Sequence, residues 1–148
     1  MKTHPYVRAY MAGIVVPTLF LLVVVSGYAL ARFAWGVPVP IERVIVFPMA
    51  AVPNLWGVWN IFYAKLRGGR HLPIGLHGAA LPLIIAPLGY LLARGLGVLA
   101  PAQGGLVYFN AFRVGYGLLA LAVGVALVIY YLVWKYFVNF FNELMGIA

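Results

Sequence analysis

Long, uninterrupted runs of apolar residues are the feature that most limits how this chain can fold. The hydrocarbon core of a bilayer is about 30 Å thick, so a helix needs about 20 mostly apolar residues to cross it. Four runs reach that length, over residues 9–31, 44–64, 74–93 and 114–134. The ten basic and two acidic residues all lie outside them. We therefore predict one transmembrane domain over residues 1–148, an all-α integral membrane protein whose four helices form a bundle.

The overall composition excludes several other classes of protein. Hydrophobic residues make up 66% of the chain, whereas soluble domains contain about 45–50%. The net charge is +8, but the basic residues are too scattered to follow a nucleic-acid backbone, so no nucleic acid is expected as a partner. Cysteine is absent, which excludes disulfides and thiolate metal ligands. The expected partners are the lipid bilayer and other membrane proteins or further copies of this chain.

The distribution of basic residues predicts an orientation in the membrane. An even number of crossings places both termini on the same side. Six basic residues then lie on that side and four on the other; the six are Lys2, Arg8, Lys65, Arg67, Arg70 and Lys135, and the four are Arg32, Arg43, Arg94 and Arg113. Because cytoplasmic segments are enriched in Lys and Arg, we predict cytoplasmic termini in a bacterial cytoplasmic membrane.

The second and third helices carry prolines at the same spacing. Pro48 and Pro53 lie in the second run, and Pro82 and Pro87 lie in the third. A proline inside a helix removes a backbone donor and bends the helix. The connection over residues 67–73 is also short. We predict that helices two and three form a proline-kinked hairpin.

The second helix also contains the polar residues that are candidates for a site. Asn54, Trp56 and Asn60 are candidates for lining a pore or a ligand cavity. The alternative is structural, because asparagine side chains can satisfy carbonyl groups that prolines leave open. Asn60 belongs to a face that also carries Pro53, Gly57 and Ala64. Small residues on such a face let a partner helix approach closely, so packing and binding both remain open.

Three histidines and one arginine are further candidates for binding. His77, with His4 or His71, is a candidate haem or metal ligand, since imidazole binds iron and other transition metals. The alternative is a hydrogen-bonded histidine without a cofactor, and no cofactor is predicted. Arg113 precedes the fourth helix and is a candidate for binding an anionic headgroup or substrate; the alternative is an arginine that extends to the membrane surface.

The two ends of the fourth helix differ in sequence. Before it, residues 95–112 form the longest connection, which we expect to be a loop against the membrane surface. After it, residues 135–148 repeat polar and aromatic positions at helical spacing. We predict that the helix extends into an amphipathic C-terminal tail, which lies in the interface or binds a neighbouring protein.

Catalysis has little support in the sequence. No nucleophile elbow, His-Glu-x-x-His pair or phosphate-binding loop is present. The only acidic residues, Glu42 and Glu143, lie outside the apolar runs, which disfavours a cation-coupled transporter. The leading hypothesis is a non-catalytic subunit or accessory protein of a larger membrane assembly. The alternatives are a small oligomeric carrier or channel for a neutral or anionic solute, and a haem- or cofactor-binding redox subunit.

Overall fold

The computed structural model describes residues 4–38, 51–69, 72–110 and 112–147, and the chain is mostly helical. The helices are α1 (Pro5–Phe33), α2 (Val52–Leu66), α3 (Ile74–Ala80), α4 (Pro82–Gly95), α5 (Tyr116–Val133) and α6 (Asn139–Leu144). A π-helical turn, Trp134–Val138, joins α5 to α6 without a break. Three short strands, β1 (Leu99–Ala102), β2 (Gly105–Tyr108) and β3 (Phe112–Gly115), lie between α4 and α5.

Within the described residues, three helical segments are long and apolar enough to cross a membrane, namely Pro5–Phe33, Ile74–Gly95 and Tyr116–Leu144. They contain nearly all of the predicted first, third and fourth spans. The predicted second span begins at Val44, and its first residues, with Pro48, lie outside the described part of the chain. Its described part is α2, which has 15 residues. The chain is therefore a membrane protein, and the fourth crossing and the kinked hairpin stay predictions.

A proline breaks the third segment between α3 and α4. Pro82 has no N–H to give to the carbonyl of Gly78, one turn earlier. The N–H of Leu81 bonds to that carbonyl instead, at 3.0 Å. The carbonyl of His77, which an unbroken helix would pair with Leu81, accepts a bond from the indole of Trp59 on α2. The break in α3 thus supplies an acceptor for a neighbouring helix.

The connection between α4 and α5 is a small sheet and not the loop that we expected. β1, β2 and β3 form an antiparallel sheet in chain order. Gly104, at φ 78°, lies in the turn between β1 and β2, a conformation that glycine adopts without steric cost. Val107 and Tyr108 on β2 and Phe112 and Val114 on β3 are residue types that favour extended backbone, whereas β1 reads Leu-Ala-Pro-Ala and has no such residue. The all-α prediction is wrong for this segment.

Glycines allow α1 and α2 to pack closely. A Cβ atom at Gly13 would lie 2.7 Å from the carbonyl oxygen of Trp56. A Cβ atom at Gly57 would lie 2.5 Å from the ring of Tyr10. Either distance is too short for a side chain, so both positions require glycine. The face of α2 that carries Gly57 and Asn60 therefore packs against α1.

The segment that follows Val133 packs against the rest of the bundle. Trp134 and Val138 are fully buried, and Asn142 is 1% exposed. In a regular α-helix, residues spaced by four drift around the axis, but the wider π turn keeps these three on one face. The predicted C-terminal extension is thus present, and one face of it belongs to the interior of this chain.

Two ends of the bundle can now be distinguished. We call the end that carries the start of α1, the end of α2 and α6 the amide end, after the asparagine pair described below. The opposite end, which carries the three strands, is the sheet end. Trp56, Leu81, Trp134 and Val138 form the buried core between them.

We predict that Gly78→Ala destabilises the protein. A Cβ atom there would lie 2.0 Å from Cγ of Trp134, and overpacking of a core costs about 1–3 kcal/mol. Gly27→Ala is the control, because a Cβ at Gly27 on α1 meets no atom within 4 Å. The free energy of unfolding is measured by circular dichroism in mixed micelles with added dodecyl sulfate. Equal stability of the two variants would contradict the packing of Trp134 on Gly78.

Candidate functional site

A buried pair of asparagines joins α2 to α6. The Nδ2 atom of Asn60 donates to Oδ1 of Asn142 at 2.7 Å, and Nδ2 of Asn142 donates to Oδ1 of Asn60 at 3.0 Å. Asn60 Nδ2 also donates to the carbonyl of Ala9 on α1, at 2.7 Å. Asn60 is fully buried. One side chain therefore binds two other helices, and its donors and acceptor are all used.

A second pair, Trp59 and His77, joins α2 to α3 by reciprocal bonds. The indole Nε1 of Trp59 donates to the carbonyl of His77 at 2.8 Å. Nε2 of His77 lies 3.1 Å from the carbonyl oxygen of Trp59. A carbonyl can only accept, so this contact places the proton on Nε2. Each residue thus binds the backbone of the other.

Aromatic rings enclose the imidazole of His77. The ring of Trp59 stacks on it with a centroid distance of 4.8 Å and an angle of 24°. Tyr63 and Trp134 lie at 5.4 Å and 5.8 Å. His77 itself is 7% exposed. The imidazole is held between α2 and the π-helical turn, and its Nε2 atom faces a backbone carbonyl.

Two arginines hold the turn that ends α6. Gly146 adopts φ 65°, and the N–H groups of Gly146 and Ile147 bond to the carbonyls of Glu143 and Asn142, which is the Schellman arrangement. Arg8 on α1 donates to the carbonyl of Met145 at 2.8 Å. Arg67, after α2, donates to the carbonyl of Ile147. Positive charge here also stabilises the negative end of the helix dipole.

Two cavities lie on either side of the asparagine pair. The first, the central cavity, has a volume of about 490 Å³ and an almost wholly apolar lining between α1, α2 and α5, including Val16, Trp56 and Tyr130. The second, the end cavity, has a volume of about 470 Å³ and lies at the amide end, beside Tyr6 and Arg67. The residues of the amide contacts are Ala9 on α1, Asn60 on α2 and Asn142 on α6. On each of these segments they lie between the residues that line the two cavities. A solute that moved along the bundle would meet this closed pair.

The structure places the predicted site residues in different environments. Asn54 is exposed on α2 and accepts a bond from the hydroxyl of Tyr10. Trp56 is buried against Tyr130, at a centroid distance of 5.0 Å. Asn60 and His77 both contact the segment that runs from Trp134 to Asn142. The structure thus unites Asn60, Trp56 and His77 around one helical segment and leaves Asn54 at the surface.

Arg113 and the other two histidines are not part of this cluster. Arg113 is exposed on β3, and the 29 residues of Tyr116–Leu144 place it about 40 Å from Asn142, at 1.5 Å per residue. Burial raises the pKa of the Tyr108 phenol on the neighbouring strand, so that phenol stays uncharged at neutral pH. His4 is exposed before α1, and His71 lies outside the described residues.

The sequence did not identify three residues of this cluster, namely Asn142, Trp59 and Trp134. Their signal was present in part, since Trp134, Val138 and Asn142 follow one another at intervals of four. Residues at intervals of four stay on one face here only because of the π turn, and the sequence pattern does not reveal that turn. The pairing of Trp59 with His77 depends on the break before Pro82, which a sequence pattern does not show.

No protein-family model, curated protein or solved structure matches this chain. Interpretation of the cluster therefore depends on its chemistry. Within residues 4–38, 51–69, 72–110 and 112–147, no group of three His, Asp or Glu side chains is placed to hold a metal ion. The clustered side chains are neutral: the two amides bond to each other, Trp59 and His77 bond to each other's backbone, and the rings of Trp56 and Trp134 pack in the core. This arrangement fixes the depth and rotation of the helices.

We predict strong coupling between Asn60 and Asn142. Asn60→Leu leaves the Asn142 amide buried without its partner, so each single leucine variant should unfold more easily. The second substitution should then cost less than the first, by about 1–2 kcal/mol, the upper range for hydrogen bonds between membrane helices. Unfolding free energies of both single variants and the double variant measure this coupling.

The matched control is Asn139→Leu combined with Asn60→Leu. Asn139 lies one turn before Asn142 and bonds to Glu143 at an exposed position. The effects of these two substitutions should add. Additive effects for Asn60 and Asn142 would show instead that the buried amide pair does not form.

Proposed function

We propose that this chain is a non-catalytic accessory subunit of a larger membrane assembly and that α5 is its contact surface. The observation that carries this proposal is the exposure of α5. None of its 18 residues is buried, although nearly all of them are apolar. Every other helix longer than one turn in the described part of the chain buries at least one residue.

The outer face of α5 carries small residues. Gly117, Ala120 and Gly124 are exposed, whereas Ala126 and Tyr130, on the inner face, are partly buried. A Cβ atom at Gly117 or Gly124 would meet no atom within 4 Å. Among the described residues, these two glycines therefore have no packing role.

The glycines inside the chain lie at close contacts between helices. Gly13, Gly57 and Gly78 each lie where another helix leaves no room for a side chain. In a bilayer, helices associate through close packing, because lipid tails are as apolar as the side chains. We infer that the outer face of α5 binds a transmembrane helix of another protein, since a helix fits the shallow groove that small residues leave.

The use of the polar residues also supports an accessory role. The carrier hypothesis depended on Asn54 and Asn60: the amide of Asn60 is occupied by Asn142 and Ala9, and Asn54 is exposed and accepts a bond from Tyr10. The redox hypothesis depended on His77, whose Nε2 atom faces a backbone carbonyl. Asn60 and His77 both contribute to helix packing, which leaves the external surface as the better candidate for function.

We predict that Gly124→Leu releases the partner protein. The added side chain projects into open space in the isolated chain, so the fold is preserved, but it separates the two helices. A steric cost of about 1–3 kcal/mol corresponds to a loss of affinity of roughly 5- to 160-fold. The measurement is native mass spectrometry after isolation from native membranes in a mild detergent.

Gly27→Leu on α1 is the matched control, because Gly27 is also open and should tolerate leucine without loss of the partner. Isolation of the wild-type chain as a stable lone monomer would count heavily against the proposal. Association only with further copies of itself would replace the accessory role with self-assembly.

We further infer that the amide end faces the cytoplasm of a bacterial cell. The described basic residues of that end are Arg8, Lys65, Arg67 and Lys135, against Arg32, Arg94 and Arg113 toward the sheet end. Positive residues are enriched on the cytoplasmic side.

A labelling experiment tests the orientation, because the natural sequence has no cysteine. Gly68→Cys, between α2 and α3, should react with an impermeant maleimide only in inside-out vesicles. Gln103→Cys, between β1 and β2, should react in intact spheroplasts. Both positions are exposed and are separated by one crossing, so the reverse pattern would place the amide end outside the cytoplasm.

A further inference from the structure

The end cavity has a more polar lining than the central cavity. It lies between the start of α1, the end of α2 and the turn after α6, and its lining includes Tyr6, Arg67 and Gly146. Its volume of about 470 Å³ is within the range of sites for small molecules. Because it is at the end of two helical segments, it lies at the level where lipid headgroups meet the protein.

Two arginines lie at the turn beside this cavity: Arg67 belongs to its lining, and Arg8 binds the carbonyl of Met145. Arg8 is half-buried and Arg67 is exposed, and each donates to one backbone carbonyl. Neither is paired with a carboxylate in the described residues, and Nε of Arg8 is buried there without an acceptor. A guanidinium has five N–H donors, so most of the donors on Arg67 and several on Arg8 do not bind protein atoms in this part of the chain.

The two guanidinium groups bind the same turn of the chain. Arg8 binds the carbonyl of Met145, and Arg67 binds the carbonyl of Ile147. These carbonyls are two residues apart, and two residues span at most about 7 Å. A phosphate group has several acceptor oxygens and prefers arginine donors. Arg67, which lines the cavity, therefore offers a phosphate group several charged donors, and Arg8 adds positive charge on the same turn.

The geometry points to a site for the phosphate of an anionic phospholipid in the end cavity. Basic pockets between membrane helices bind such headgroups. The hydroxyl of Tyr6, a residue that is 50% exposed, is a further donor at the rim. Pro5, Ala64 and Ile147 complete an apolar part of the lining, which fits the glycerol and first chain carbons of a lipid. This site does not depend on the partner that we propose for α5.

The first experiment uses the wild-type protein in a neutral detergent. Dioleoyl phosphatidylglycerol, dioleoyl phosphatidylcholine or glycerol 3-phosphate is added, and bound adducts are counted by native mass spectrometry while the unfolding temperature is recorded. A ligand that binds only the folded protein raises its stability. We expect adducts and a rise in unfolding temperature with phosphatidylglycerol alone. Equal effects of phosphatidylcholine would overturn the site, and equal binding of glycerol 3-phosphate would assign it to a soluble phosphate ester.

The second experiment assigns the donors. Arg8→Gln with Arg67→Gln should weaken phosphatidylglycerol binding by about tenfold or more, because charge-assisted bonds to phosphate are lost. Arg113→Gln at the sheet end removes the same charge elsewhere and should leave binding unchanged. Equal weakening by Arg113→Gln would show a general charge effect and overturn the proposal.

Arg8 and Arg67 also bind the turn after α6, so replacing both can destabilise the fold. Two milder variants are therefore tested as well. Arg67→Lys keeps the charge but not the paired donors, and Tyr6→Phe removes only the hydroxyl. Both should keep the unfolding temperature of the lipid-free protein and weaken phosphatidylglycerol binding by about two- to fivefold, for one neutral hydrogen bond or less. Wild-type binding by both variants would remove Arg67 and Tyr6 from the site.

Discussion

The buried amide pair of Asn60 and Asn142 is the interaction on which the arrangement of the helices depends. Inside a bilayer, burial of apolar surface does not favour one helix contact over another, because lipid is equally apolar. Hydrogen bonds and close packing decide the register. Asn60 bonds to Ala9 as well as to Asn142, so it fixes the relative depth of α1, α2 and α6. Any sliding of one helix would leave an amide unpaired in an apolar layer.

The other contacts follow from this register. With Asn142 held against α2, the π-helical turn brings Trp134 next to Gly78, where no side chain would fit. The break at Pro82 leaves the carbonyl of His77 available to the indole of Trp59. The hydrogen bonds at the proline break and the packing of Trp59 and Trp134 thus complete the contact between helices that the asparagine pair begins. A proline that would weaken an isolated helix contributes here to a contact between helices.

Apolar run length predicted most of the helices, since bilayer thickness sets that length directly. The same reasoning identified Asn60 and the glycine face of α2, but not the partner Asn142, because the sequence pattern beyond Trp134 was interpreted as a surface tail. A π turn changes which residues share a face, and it leaves no periodic signature. The sheet was missed for a similar reason: its strands are four residues long, and their pairing depends on turns that include positive φ at Phe109 and Asn110.

Polar residues within a membrane protein are often assigned to a transport path or a cofactor, but here they bind one another. Asn60 uses its donors and acceptor within the chain, and the Nε2 atom of His77 faces a backbone carbonyl. Among the described residues, the indole Nε1 atoms of Trp56 and Trp134 are buried without an acceptor, and their rings pack in the core. The groups that we propose for external contacts lie elsewhere, on the outer face of α5 and on the arginines at the amide end. We propose that those two surfaces meet different surroundings, the hydrocarbon core at α5 and the lipid headgroups at the arginines. A packed interior with two distinct external surfaces is consistent with the proposed subunit, which lipid and a partner would position at the same time.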